Sequence, residues 1–317
     1  MNCTAILVGD GPVRRVSPEE ALAYRGPGFV WTHVESAGAD GLPLVVGEDI
    51  PDVAANALTA TETRPRCERI EDGAIVNLRG PAAVELDNSD RLVSLRMWVR
   101  RGKVDSVTRV PLTATANVIK LMDQGEILDP GDLVAAFARE ISRQLDPQVA
   151  QLGDDLDDCE SSLEAHNIYR LRAPITRIRS EAIAFRRFVA PDRDALVALT
   201  GFDFDWLAED DRLHIREAAD RFARMAEELE AVRERAALLH EQITDLRAEQ
   251  TDQRALYISV VAFIFLPLTF VTGLLGMNVE GIPYAHTHWA SWGVVIFCVI
   301  VGVSVLAWFR WRNWLRR

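Results

Sequence analysis

The stretch LYISVVAFIFLPLTFVTGLL, Leu256 to Leu275, is followed at once by Gly276, Met277 and Asn278. These twenty residues carry no charge. A hydrocarbon core of about 30 Å is crossed by about 20 apolar helical residues, and a core helix of a soluble protein seldom runs so far without an ionisable group. A second uncharged run, Trp292 to Phe309, is long enough to return through the same bilayer. The two make a C-terminal transmembrane hairpin. Arg254 precedes the first run and Arg310, Arg312, Arg316 and Arg317 follow the second, while Gly276 to Ser291 holds no Lys or Arg. Cationic flanks stay on the cytoplasmic side, so both ends of a multi-pass chain are expected there. Trp289, Trp292, Trp308, Trp311 and Trp314 stand where interfacial aromatic anchors belong.

Most of the 317 residues lie outside that hairpin, enough for an α/β domain with long helices. The net charge of -12 suits cations and argues against nucleic acid, whose phosphates need an excess or a stripe of Lys and Arg. Cys3, Cys67, Cys159 and Cys298 are scattered and form no CxxC pair, which fits reduced cytoplasmic thiols better than a disulfide framework or a cysteine zinc site. The opening MNCTAILVGDGPVRR has too short an apolar stretch for a secretory signal. No nucleophile elbow, Walker loop or dinucleotide fingerprint occurs, so the chain does not read as an enzyme and calls for no cofactor.

The fold class expected is α+β. Strands are predicted over Phe29 to Val34, Ala74 to Leu78, Leu92 to Val99 and Val104 to Arg109, the last two joined by a turn at Arg101 and Gly102. Helices are predicted over Pro18 to Tyr24, Val53 to Ala60, Ala114 to Met122 and Gly131 to Leu145. Thr61 to Glu68, TETRPRCE, is dense in arginine and reads either as an anion site or as a solvated loop beside a helix end. From Val149 the pattern turns helical and acidic. Val149, Leu156 and Leu163 recur every seven residues, as do Leu152, Cys159 and His166, among Asp154, Asp155, Asp157, Asp158 and Glu160. Cys159 and His166 read as packing residues and the acids as a charged face, with weak binding of hydrated cations as the alternative. Pro191 is expected to end this helical stretch.

Beyond it, Ile215, Phe222, Leu229, Ala236 and Ile243 recur every seven residues, with Ala218, Met225, Val232, Leu239 and Leu246 three positions behind. That regular seam requires a packed partner, and it turns polar at Gln250 and Gln253 just before the bilayer. The organisation expected is an α/β domain over 1–145, an acidic helical region over 146–210, a stalk helix over 211–255, spans over 256–275 and 292–309, a periplasmic loop over 276–291 and a basic tail over 310–317.

Within the first span, Ile258, Ala262, Leu266, Thr269 and Gly273 share one face at steps of four, four, three and four. A stripe of small residues and a hydroxyl allows close helix approach or lines a narrow pore. Two spans enclose nothing, so a pore requires several chains about an axis. Asn278 would then form a ring of amide oxygens at the outer mouth, able to hold the water shell of a divalent ion without stripping it. Leu266 and Ile258 would form apolar constrictions that close by dewetting, and Glu280 would concentrate cations near the mouth. His286 and His288 form HxH in the loop, a weak candidate metal pair beside the ordinary reading of an interfacial loop.

Gly276-Met277-Asn278 between two C-terminal spans, after an acidic stalk and the run FLPLTFVTGLL, resembles the CorA superfamily of divalent-cation transport proteins, and the order of parts agrees over essentially the full length. GMNVEGIP, ETRPRCE and SLRMW (Ser94 to Trp98) look more like its zinc-associated ZntB branch than its magnesium-conducting branch. The resemblance implies a homopentameric funnel, Gly276, Met277 and Asn278 as the selectivity mouth, and the Ile258, Ala262, Leu266, Thr269, Gly273 face as pore-lining. It also implies Zn2+ as the transported ion, with Mg2+, Co2+, Ni2+ and Cd2+ as alternatives, taken inward with coupling to protons, or exported in the alternative. Glu280 stands where the zinc branch usually has glycine and is a feature of some magnesium-branch members, which keeps a magnesium or cobalt channel as the alternative. A rival of another class is a membrane-anchored signalling or scaffold protein, which would have no use for Asn278 at the span end or for Gln250 and Gln253 in the seam.

Overall fold

The computed structural model describes residues 2–9, 11–35, 50–60, 64–84, 92–164, 167–277 and 287–311. They fall into two compact units, 1–241 and 242–317. In the first, β1 (Asn2–Val8), β2 (Arg14–Arg15), β3 (Phe29–Glu35), β4 (Arg66–Ile70), β5 (Gly73–Pro81), β6 (Leu92–Arg100) and β7 (Lys103–Thr108) form one sheet in the order β2-β1-β3-β7-β6-β5-β4. Every neighbouring pair is antiparallel except β3 and β7, which run parallel with Val30 opposite Lys103 and Glu35 opposite Thr108. Gly102 turns the β6–β7 hairpin at φ +72°, a conformation that a β-carbon disfavours.

The inner strands are buried almost without interruption, as expected when both faces of a sheet are covered. On one face α2 (Asp52–Thr59) lays Ala54, Ala57 and Leu58 against Val34, Ile75, Trp98 and Val107. On the other, the ring of Phe137 meets Trp31 edge-on at 5.6 Å, and the tight spot at Gly80 is filled by Ile141 and Leu112. Phe137 and Ile141 belong to α4 (Pro130–Ser161), which packs with α3 (Thr113–Asp123) over β5. α1 (Pro18–Ala23), capped by Ser17 accepting the Glu20 N–H at 3.1 Å, closes a small cluster with Ala5, Leu7 and Val30.

α4 does not stop at residue 145. It runs through Pro147, past the expected end of the α/β domain, because Val149, Leu152, Leu156 and Cys159 remain buried on its far side. α5 (Ile168–Thr200) likewise contains Pro174 and Pro191. Pro191 therefore does not end the helical stretch. A proline removes one N–H and crowds the carbonyl four residues back, and here burial of Asp192, Ala195, Leu196 and Leu199 outweighs that cost. α6 (Glu209–Leu275) is 67 residues long, roughly 100 Å at 1.5 Å per residue. α7 (Ala290–Trp311) follows it.

Candidate functional site

The seam of α6 in the first unit is buried within its own chain. Ile215, Phe222, Leu229 and Ala236 have no exposed surface, and Met225, Val232 and Leu239 are nearly covered. Ion pairs join its flanks to its neighbours: Arg186 Nε of α5 lies 3.0 Å from Glu230, and Arg235 of α6 bridges Asp157 and Glu160 of α4. Of the acids singled out in the sequence, Asp155 pairs with Arg177 and accepts from Gln151 Nε2, so the cluster is spread over separate partners rather than focused on one point. Cys159 packs in the seam, and burial pushes its thiol above the usual range. His166 lies outside the described residues.

Beyond the seam the pattern of burial reverses. Only 6% of the apolar window in α6, and of that in α7, is buried, whereas a core helix of a soluble protein is mostly buried. Ile258 is 70% exposed and Leu266 77%, and Ala262, Thr269 and Gly273 are exposed with them. All five residues of the expected pore face therefore stand uncovered in the single chain. Two helical steps from Ile258, Val260 is 5% exposed, and Phe263 meets Phe309 of α7 edge-on at 6.0 Å. The hydroxyls are satisfied locally: Thr269 donates to the Phe265 carbonyl at 2.8 Å and Thr272 to the Leu268 carbonyl at 2.9 Å. Each oxygen keeps acceptor capacity that a water of a hydrated cation can use.

Pro267 sits inside α6 without ending it. Phe263, Leu266, Pro267, Thr269 and Phe270 border one open apolar groove of about 730 Å³. Phe263 and Phe270 thus share a surface with Leu266 and Thr269 of the expected pore face. The Gly276 N–H donates to the Thr272 carbonyl at 2.9 Å as the helix ends, and Met277 is half exposed. His288 is exposed in the turn before α7. Asn278, Glu280 and His286 lie outside the described residues.

One cluster has no counterpart in the motifs read from the sequence. Asp129, the N-cap of α4, Asp132 in its first turn, and Asp211 in the first turn of α6 bring carboxylate oxygens within 4.8 Å of one another. Asp129 Oδ1 accepts the Asp132 N–H at 2.9 Å, and Asp211 Oδ2 accepts the Ala208 N–H at 2.8 Å. Burial, and then the charge of Asp129, push Asp211 up to about 7. A β-carbon on Gly131 would collide with the Asp211 carboxylate, so that glycine permits the approach. Asp129 and Asp132 do look like helix-start signals, but nothing in the sequence brings Asp211, some eighty positions later, beside them.

Residues 26–312 match the family of CorA-like Mg2+ transporter proteins. The zinc transport protein ZntB of Pectobacterium carotovorum subsp. carotovorum is 29% identical over 311 residues, covering 98% of this chain and 94% of the relative. Among solved structures, full-length CmaX superposes with a TM-score of 0.76 at 27% identity, over 96% of this chain and 97% of its own. The complete CorA magnesium transporter of Methanocaldococcus jannaschii superposes with a TM-score of 0.80 at 17% identity over 98% of each chain, a likeness of fold.

Proposed function

The chain belongs to the family of CorA-like Mg2+ transporter proteins, and on that premise we propose that it carries zinc inward across a bacterial inner membrane, along the axis of a homopentamer. The observation that carries the reading is the face of Ile258, Ala262, Leu266, Thr269 and Gly273, regularly spaced and wholly uncovered, on a helix that its own chain packs only farther back. Such a face is completed by copies of itself around a common axis. Zinc is favoured by the likeness to the ZntB protein over 98% of the chain.

In this reading the ion stays hydrated at a ring of Asn278 amide oxygens, with Glu280 raising the local cation concentration and Gly276 and Met277 setting the turn that presents the ring. Below the ring, Thr269 offers an acceptor oxygen, while Leu266 and Ile258 close the path by dewetting when the helices draw together. The inside-negative potential supplies about 2.3 kcal/mol per charge at 100 mV, hence about 4.6 kcal/mol for a divalent ion moving inward. A proton gradient is a second source. His286 and His288 are a secondary zinc-attracting pair. The alternative, a magnesium or cobalt channel on the same scaffold, is favoured by Glu280.

The test is entry of zinc and of magnesium into liposomes holding the purified protein, with and without an imposed proton gradient, beside Asn278→Ala. Zinc entry that depends on Asn278 is expected. Magnesium entry indifferent to the gradient would transfer the reading to the alternative, and unchanged flux through an intact Asn278→Ala oligomer would remove the proposed mouth.

A further inference from the structure

The turns of α6 just ahead of the uncharged span carry a short repeat that neither the seam nor the pore face accounts for. Residues 244–254 read TDLRAEQTDQR, so Thr-Asp-x-Arg occurs at Thr244 to Arg247 and again, seven positions on, at Thr251 to Arg254. The helix is continuous through both, and seven residues are nearly two full turns, so like members of the two repeats share a side. At about 100° per residue, Thr244, Ala248, Thr251 and Ala255 prolong the stripe that begins at Ile258, without one charged member. Asp245 and Asp252 stand about 80–100° to one side of that stripe, and Arg247 and Arg254 about 60–80° to the other. The third members, Leu246 and Gln253, fall with Ile243 and Gln250 on the far side, which the chain itself covers: Ile243 is 1% exposed and the other three are half-buried.

The stripe and its charged margins are open. Thr244, Ala248, Thr251 and Ala255 are exposed, as are Asp245, Asp252 and Arg254. Among the described residues, Asp252 and Arg254 make no ion pair. Farther back along the same helix the charges are matched within the chain, Arg221 with Glu217, Arg233 with Glu230, and Arg235 with Asp157 and Glu160. A face that only meets water gains nothing by sorting its signs, and acids and bases are usually interleaved three or four positions apart so that they pair along the helix. Asp252 and Arg254 are two positions apart on opposite margins, where one helix cannot join them. Identical parallel helices around an axis can. Each then offers its acidic margin to one neighbour and its basic margin to the other, and the offset of two residues, about 3 Å of rise, is within the reach of an arginine side chain. The partner that fits this surface by charge is the same stretch of a second copy of this chain.

We propose that in the homo-oligomer Arg254 of each copy pairs with Asp252 of the next, repeated by Arg247 and Asp245 two turns farther back, so that the α6 helices are clasped into a collar whose inner wall is Thr251 and Thr244. The inference rests on the homo-oligomeric reading above and adds what sets the rotation of each helix: opposite charges meet only when the stripe, and not the covered side, is turned to the axis. The Thr251 hydroxyl, which donates to the Arg247 carbonyl at 2.9 Å, keeps acceptor capacity toward that axis.

The test is the subunit dissociation constant of the detergent-purified full chain, read by light scattering across a dilution series at low salt. Asp252→Arg and Arg254→Asp should each raise it about tenfold, because every contact around the ring then sets like charge against like. The double variant, with the two charges exchanged, should return to within about threefold of the wild type, and the loss in each single variant should shrink in 1 M salt. Asp252→Asn and Arg254→Gln serve as milder variants, and combining them should cost no more than either alone. Single variants that dissociate like the wild type overturn the collar, as does an exchanged pair no tighter than the singles. A wild-type chain that is monomeric overturns the collar together with the oligomeric reading, whereas an oligomer indifferent to these charges overturns the collar alone. Metal flux is not read, so a failed transport assay leaves the collar standing.

Discussion

One helix presents two opposite surfaces. From Ile215 to Leu239, α6 hides a seven-residue seam within its own chain, whereas from Ile258 to Gly273 a face of similar regularity is bare. The buried stretch is dense in Arg, Glu and Asp between its apolar positions, and the bare one holds no ionisable side chain except the phenol of Tyr257 just ahead of it. Periodicity therefore says that a surface will be covered, while the residues between the periodic ones say by what. Charged flanks keep the first stretch in water and orient it through ion pairs. Apolar flanks suit the second to lipid, and in the proposed reading its mixed stripe is left for other helices.

The largest effect that would break this contrast lies in the buried stretch. Phe222→Ala should cost about 3–5 kcal/mol in unfolding of the α/β unit, read from denaturant or thermal curves, because a fully covered ring leaves a cavity. The same truncation at Leu266 should leave that transition where it is. Equal losses at the two positions would erase the distinction.

Next comes pH. Asp211 titrates near 7 when folded, from an ordinary value of 3.8. The folded chain then holds the proton more tightly than the unfolded one, so this carboxyl lowers stability progressively as pH rises from about 4 to about 7 and by a constant amount above that. At pH 8 the loss is about 2–4 kcal/mol, and Asp211→Asn, which keeps an oxygen to accept the Ala208 N–H, should recover it. Wild-type and variant curves that run parallel from pH 4 to 8 would refute the shift.

A smaller change concerns the bare stretch. Leu266→Asn should raise ion leak about tenfold, equivalent to about 1.4 kcal/mol of barrier, without moving the unfolding transition. A tighter pore in that variant would argue against Leu266 as a constriction. Smallest of all, Arg235→Gln should cost less than about 1 kcal/mol, and less still in high salt, because its pairs with Asp157 and Glu160 are half exposed. A larger loss would mean that the flanks, and not the seam, hold α6 in place.

The strands legible in the sequence were those with apolar runs closed by turns. β3, β5, β6 and β7 fall within three residues of their expected ends. β4 escaped because RCERI is an edge strand with mostly exposed, charged side chains, which reads as loop. In the sequence β1 reads only as a short apolar opening, although NCTAILV pairs along its whole length with β3. Pro191 misleads for a related reason: it marks a local cost, whereas burial on its far side is decided by the fold. At the candidate site, the spacing of Ile258, Ala262, Leu266, Thr269 and Gly273 was enough to place them on one face, because a helix fixes the angle of every residue it contains. No such rule connects Asp211 with Asp129 or with Asp132. Those meetings depend on strand order and on how helices cross, which local periodicity does not encode.

The close approach at Gly131 bears on how this protein can drift. A position usually tolerates any small residue if its neighbours are soft, but here the neighbour is a carboxylate held by the backbone N–H of Ala208, just ahead of its helix. Alanine at 131 would have to evict the acid at 211, and once that acid is lost the glycine has no remaining role. Position 131 should therefore gain a side chain only where position 211 has already changed. Among descendants of this sequence, a lineage with a side chain at 131 is expected to have replaced Asp211 first, in that order, because the reverse path passes through a collision.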